Sequence, residues 1–487
     1  MTRFRKSPLA AAAISLVTLT LSAAPALAVT YNWGSGNFVP GTTAPHPLLA
    51  PDLLNINGAS SKIFSGVAFT NNSLVNWQAG AIFLGGGASV VNNGLWDAQG
   101  DDTMAATTGS GSFTNNGTLR KSSGTGATTI ASGVGFTNNG SIDAQIGTLR
   151  LGGGPMAFNA GSVFTGAGTV EVTSAATFGG SFTSSNLLLA GGTQTGNGAV
   201  LNGAVGWRDG TLAGTWQVAA GQTLNVISAS NRVISGTGTV LTNAGTVNWQ
   251  GGAIFLGGGA SVVNNGLWDA QGDDTLAATT GGGSFTNNGT LRKSSGANVT
   301  SFAAGAGFSN PGVVDVQVGT IALPANFTNT GTLKGDGRYT ATGVLTNNGT
   351  VAPGSVGAGT LGISSTYTQG AAGTLALDLN SLASFDLLAV TGAANLGGTL
   401  ALSCLAACSF DVGDSFVVLT TTGVRSGTFS GLTLSGFGSG GFDVLYGSNN
   451  VSLRVTQAVT AVPEPGSYAL LLAGLAAVGW AARRRAA

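Results

Sequence analysis

Between about residues 67 and 360 the chain alternates short apolar runs with polar corners in a fixed rhythm. Runs such as Ala253-Ile254-Phe255-Leu256, Ser261-Val262-Val263 and Ser284-Phe285-Thr286 are rich in β-formers and bounded by Gly or Asn. No stretch between the two ends keeps a helical period. Many runs end in Asn-Asn-Gly or a close variant, whose leading Asn recurs at Asn71, Asn92, Asn115 and Asn138, and again at Asn243, Asn264, Asn287, Asn310, Asn329 and Asn347. The steps are 21, 23 and 23 residues, then 21, 23, 23, 19 and 18. Each step leaves room for about three strands of ~5 residues and their turns, which is one rung of a parallel β-solenoid. The expected fold is therefore all-β, a right-handed parallel β-helix. Asn and Gly tolerate positive φ, so the chain is expected to turn through such backbone at the Asn-Asn-Gly corner. Stacked rungs would also bring the Asn amides into a hydrogen-bonded ladder.

One stretch organises the array. Residues 75–124 return as residues 247–296, differing only at Ala79/Gly251, Met104/Leu276 and Ser110/Gly282. The copies are 172 residues apart, close to eight rungs, so the duplication preserves rung register. Residues 67–360 then make roughly 14 rungs, a rod of about 65–70 Å at ~4.8 Å per rung. Residues 187–226 are looser, yet Trp207-Arg208-Asp209-Gly210-Thr211-Leu212 echoes Trp249-Gln250-Gly251-Gly252-Ala253-Ile254, which keeps them in the array. Residues 29–66 lack the rhythm and carry Pro40, Pro45, Pro47 and Pro51; they read as an N-terminal cap. From 361 to 457 the runs lengthen, as in Thr374–Leu379, Ser415–Thr420 and Asn450–Val455, and close the rod.

Composition changes the picture in two ways. The 82 Gly in 487 residues, without a Gly-X-Y period, argue for many tight turns rather than collagen. The formal charge of zero hides an asymmetry, because six of the 18 basic residues (Arg3, Arg5, Lys6, Arg483, Arg484, Arg485) lie in the termini. From Val29 to Val462 this leaves 12 basic against 17 acidic residues, so the body is mildly acidic and no nucleic-acid partner is expected. Residues 1–28 have a basic start, an apolar run from Ala10 to Leu21, and small residues at Ala26 and Ala28. They read as a helical secretory signal cut by signal peptidase to leave Val29 first.

Ser384-Phe385-Asp386-Leu387-Leu388-Ala389-Val390-Thr391-Gly392, followed by Leu396-Gly397-Gly398-Thr399-Leu400, resembles the segment that closes the β-helical passenger of bacterial autotransporters. No translocator barrel follows, since only about 30 residues remain and the smallest such barrels need eight strands. Those residues, 458–487, hold Val462-Pro463-Glu464-Pro465-Gly466-Ser467, an apolar run from Tyr468 to Ala482, then Arg483-Arg484-Arg485. The prolines bar helix before the run, and the arginines hold its far end in the cytoplasm. This tail resembles the PEP-CTERM sorting signal. The resemblance implies a Gram-negative bacterium, a C-terminal apolar helix that anchors transiently in the inner membrane, processing by exosortase near Pro463 to Pro465, and delivery to the cell surface or extracellular matrix.

Candidate chemistry is sparse. Asp97, Asp101 and Asp102 recur as Asp269, Asp273 and Asp274 on Gly-rich turns; oxygen ligands there could suit Ca²⁺, but the spacing matches no EF-hand or nonapeptide calcium repeat, and solvated charges are the default reading. Glycosidase chemistry needs two carboxyls about 5–10 Å apart, and nothing in the sequence selects such a pair. His46, the single histidine, lies between two prolines and reads as a loop residue. Trp77, Trp96, Trp249 and Trp268 occupy matched places and read as packing, with sugar stacking as the alternative. Cys404 and Cys408 can pair only if residues 405–407 turn; otherwise they are two thiols. No cofactor and no catalytic residue is expected. The sequence thus points to a non-catalytic structural or adhesive protein contacting exopolysaccharide, biofilm or other surface proteins, with a β-helical polysaccharide lyase or glycoside hydrolase as the alternative.

Overall fold

The computed structural model describes residues 27–303, 305–404, 408–459 and 473–475. The chain winds into a β-solenoid of about 17 turns, roughly 80 Å long at ~4.8 Å per turn. The expected helices of residues 1–28 and of the sorting tail lie outside the described residues, apart from a helical turn at 473–475.

Each regular rung visits three faces in order. In the first copy, face A carries Ala88–Asn92 and Gly111–Asn115, face B Leu95–Ala98 and Thr118–Lys121, and face C Ile82–Gly85 and Thr103–Ala106. Like strands stack in parallel and in register, for instance Asn92 on Asn115 on Asn138 along face A. Alternate side chains point inward, and the inward set forms one continuous core along the rod. Along face B that set runs Leu54, Val75, Trp96, Leu119 and Ile142, all buried.

The corner from face A to face B shows why Asn-Asn-Gly recurs. Asn71 donates from Nδ2 to Asn92 Oδ1 at 2.7 Å; the same 2.7 Å bond joins Asn92 to Asn115 and Asn115 to Asn138. A second ladder climbs Asn243, Asn264, Asn287, Asn310, Asn329 and Asn347. Each rung also donates to a carbonyl of face B, as Asn92 does to Thr118 O, so the buried amides are satisfied without water. The second Asn forms an exposed ladder that donates in the opposite direction, from Asn93 to Asn72, Asn116 to Asn93 and Asn139 to Asn116. The two amide stacks therefore carry opposed dipoles.

The expectation of positive φ at this corner does not hold. Neither the Asn pair nor Gly94, Gly117 or Gly140 has positive φ; left-handed glycines serve other turns, such as Gly80, Gly86 and Gly124. Glycine is needed for proximity instead, because a Cβ at Gly117 would lie 2.2 Å from Gly94 O and one at Gly140 2.1 Å from Gly117 O.

The ladder begins earlier and ends later than the Asn rhythm. Thr30–Trp33 pairs in parallel with Leu48–Ile56, which pairs with Ala68–Trp77, so the Pro-rich segment already contains stacked strands. Its irregular part is the loop from Phe38 to Pro47, which tucks Phe38 and Ala44 into the core beside Trp33 and Phe64. The loose middle stays in the ladder: Ala176–Val218 is continuous strand that bends round its corners without separate turns. Beyond residue 361, parallel stacking continues through Thr374–Ser381, Thr399–Ser403 and Gly431–Ser435. The last strand, Asn450–Gln457, then reverses and pairs antiparallel with Ser415–Thr421. Cys404 and Cys408 are joined as a disulfide with their Cα atoms 6.1 Å apart.

Candidate functional site

The duplicated acidic turns are the sequence's main candidate for chemistry, and the structure builds each into a network with cations one rung away. Face B turns a column of polar side chains outward: Asn32, Asn55, Asn76, Asp97, Arg120 and Asp143 in the first part of the rod. The same column resumes as Asn225, Asn248, Asp269, Arg292, Asp315 and Lys334. Arg120 donates twice to Asp97, at 3.1 and 2.9 Å, and Arg292 does the same to Asp269. Burial alone would raise the Asp97 carboxyl, but hydrogen bonds from Arg120, Gln99 and Ser122 outweigh it and hold the group below the usual carboxylate value; Asp269 follows with Arg292, Gln271 and Ser294. Both aspartates are therefore ionised acceptors held by arginine, which does not suit proton donation.

Asp101 and Asp273 meet a different cation. The inward position that holds Ala98 in one rung holds Lys121 in the next, and this fully buried ammonium reaches back into the acidic turn. Lys121 Nζ donates to Gly100 O, Asp101 Oδ1, Ser123 O and Thr128 Oγ1 at 2.6–3.1 Å. Lys293 repeats the set with Gly272, Asp273, Ser295 and Thr300. The lysine bond holds the Asp101 and Asp273 carboxyls low. Asp102 and Asp274 complete the pattern, since their charges act on the buried Lys62 and Arg232. Four of the six aspartates thus bond a protein cation directly, and at Asp101 and Asp273 that cation is a buried ammonium among backbone and hydroxyl oxygens.

The other candidates find structural places. Trp77, Trp96, Trp249 and Trp268 are all buried, which removes them from any sugar-stacking surface. Trp77 and Trp249 donate from Nε1 to Gly80 O and Gly252 O at 2.8 Å, pinning the turns after face B. His46 Nδ1 accepts the Thr70 N–H at 3.3 Å. Val462 to Ser467, Arg483 to Arg485 and Ala26 lie outside the described residues, while Ala28 is exposed just ahead of the first strand. Val29 N donates to Asp52 Oδ1 at 2.9 Å, so cleavage after Ala28 would place the new α-ammonium beside a carboxylate.

Two features escaped the sequence. Asp386 is buried, with Oδ1 accepting Gly359 N–H at 2.7 Å and Oδ2 accepting Asp378 N–H at 2.8 Å. Burial pushes its carboxyl up to about 7, with the charges of Asp378 and Asp336 adding to the rise against those two N–H bonds. Nearby, a shallow groove of about 360 Å³ is lined by Thr320, Asp336, Arg338 and Thr360 among others. Asp386 falls in the stretch that resembles the autotransporter closing segment, but its burial and its two N–H partners do not show there, because they lie 8 and 27 residues away.

Residues 461–485 match the PEP-CTERM protein-sorting motif, which marks exported proteins processed by an exosortase. No curated protein sequence matches the chain. The sorting motif covers the tail alone, so it speaks for the destination of the β-solenoid rather than its action.

Proposed function

We propose that this exported β-solenoid, whose tail matches an exosortase-processed sorting motif, is a non-catalytic structural or adhesive component of the cell surface or extracellular matrix, associated with exopolysaccharide. The observation that carries this reading is the outward column of face B. Its amides stand at Asn32, Asn55, Asn76, Asn225 and Asn248, and Arg120 and Arg292 pair within it with Asp97 and Asp269. Such a surface offers a long row of donors and acceptors with little net field, which suits many weak contacts with a neutral or mildly charged glycan along the rod.

Two measurements test it. Mass spectrometry of the C-terminal peptide in membrane, surface and medium fractions should show chains ending near Pro463 to Pro465 outside the inner membrane. Retention of Arg485 in every fraction would remove the matrix destination. Protein recovered from the surface should then bind the producer's polysaccharide without shortening it. Released oligosaccharides would favour the alternative, a polysaccharide lyase or hydrolase, for which the groove at Asp336 and Arg338 is the place to begin; Asp336→Asn would then abolish the release.

A further inference from the structure

Among the described residues the two ends of the rod are finished differently, and the C-terminal end is left open on one face. On face C, Asn450–Gln457 lies antiparallel over Ser415–Thr421, and Gly441–Tyr446 covers it in turn. The last face A strand, Arg425–Gly427, is flanked by Gly447 and Ser448, which accept from Arg425 Nε and Arg425 N. The last face B strand, Gly431–Ser435, pairs on one side with Thr399–Ser403. Among the described residues no strand pairs with its other side.

Three properties of this strand belong together. Leu432 and Leu434 stand in register with the buried core residues Leu400 and Leu402, yet they are 38% and 40% exposed. The strand carries no charge, proline or bulge, the usual protections of a free edge. Its sequence, Gly431-Leu432-Thr433-Leu434-Ser435, is symmetric in character about Thr433. Antiparallel pairing of this strand with itself therefore sets Thr433 against Thr433, and Leu432 of each chain against Leu434 of the other, with all four leucines on the inward side. The opposite end of the face B column is a poorer match, because its inward Trp33 is already buried under Phe38 and the loop to Pro47.

We propose that a second copy of this chain docks here, joining two rods tail to tail through antiparallel pairing of Gly431–Ser435 about a two-fold axis at Thr433. The contact is isologous and closes at two copies. It also covers the uncapped end of the core, and it does not depend on the polysaccharide reading above.

The test uses the full chain, purified in detergent where the tail is retained. Light scattering during size exclusion should show a concentration-dependent dimer of twice the 47.6 kDa chain. Leu434→Lys should weaken it at least tenfold while the β-sheet circular dichroism is kept. Thr433→Cys, an exposed and mild change, should oxidise to a covalent dimer, because opposed residues of an antiparallel pair have Cα atoms about 4.5–5.5 Å apart, within disulfide reach. Ala401→Cys, one strand inside, should not. A monomer at every concentration, no Thr433→Cys cross-link, equal cross-linking by Ala401→Cys, or cross-links joining Thr433→Cys to Tyr31→Cys in mixed chains would each overturn the proposal.

Discussion

A buried asparagine in this rod does the work of two backbone groups, since its amide links the rung below, the rung above and a face B carbonyl. Asn115→Ala removes the donor to Asn138 and to Ser141 O and leaves Asn92 Nδ2 with Thr118 O as its one remaining acceptor. The expected cost is about 2–3 kcal/mol, read as a lower urea midpoint, because each unsatisfied buried group costs ~1–3 kcal/mol. Asn116→Ala, in the exposed ladder, should stay within about 0.5 kcal/mol, since water replaces its partner. Lys121 poses the same question with charge. Lys121→Met removes the ammonium from Ser123 O, leaves Gly100 O with Thr128 Oγ1 alone and takes from Asp101 its cation. A loss on the order of 3 kcal/mol is expected, tempered by the hydration open to Asp101. Lys293→Met should add nearly the same loss independently, because the two sites share no partner. These residues show how far the sequence could be read. The Asn period was visible because identical residues stack on themselves; the pairing of Lys121 with Asp101 was not, because it joins unlike residues 20 positions apart whose register is known only once the rung is built.

At the scale of the strand, the closing region differs from the array in how its stacking is secured. No asparagine ladder continues past Asn347; Tyr367 and Gln369 take over, with Tyr367 Oη and Gln369 Oε1 at 2.8 Å. Asp386 then ties the entry of Thr360–Gln369 to Thr374–Ser381 through two backbone N–H groups. Its raised carboxyl gives this region a pH dependence of definite sign. Burial, its largest cause, favours the protonated form, so between the unfolded value near 3.8 and the folded value of about 7 the native chain holds a proton that the unfolded chain releases. Stability is therefore fully present below pH ~4 and falls as pH rises through 7, by up to about 4 kcal/mol for a shift of this size. Asp97, Asp269 and Glu171 are depressed and act oppositely, but only in more acid solution, which leaves pH 5 to 8 to Asp386. Thermal unfolding should begin at lower temperature at pH 8 than at pH 5, and Asp386→Asn should flatten the difference. A flat profile in the unaltered chain would show that the two N–H bonds outweigh burial.

For the whole molecule, the geometry of a solenoid makes each rung answerable chiefly to its neighbours, which is why a whole-rung duplication is tolerated and why the ends carry the exceptional chemistry. The N-terminal end is plugged by an aromatic cluster of Trp33, Phe38, Phe64 and Phe69. The C-terminal end is closed by antiparallel strands on one face and, among the described residues, left bare on another. Secretion should leave Val29 at the mature N-terminus, beside Asp52; N-terminal sequencing of the exported protein checks this, and a start within Thr30–Trp33 would unpair the first strand.

The sequence by itself determined the period, the three-strand rung, the position of the buried Asn and the register of the two copies, because in a stacked fold spacing along the chain is position along the axis. It also determined the destination, since the sorting tail is a linear pattern of prolines, apolar residues and arginines that needs no fold to be legible. Tertiary structure alone decided what depends on the approach of unlike segments. It assigned glycine at the corner to a stacked carbonyl that leaves no room for a Cβ rather than to positive φ. It placed the four repeated tryptophans inside and set Asp97, Asp101, Asp269 and Asp273 against cations of the next rung. And it showed which strand ends the ladder uncovered, because a free edge is defined by a neighbour that no residue of the strand itself can reveal.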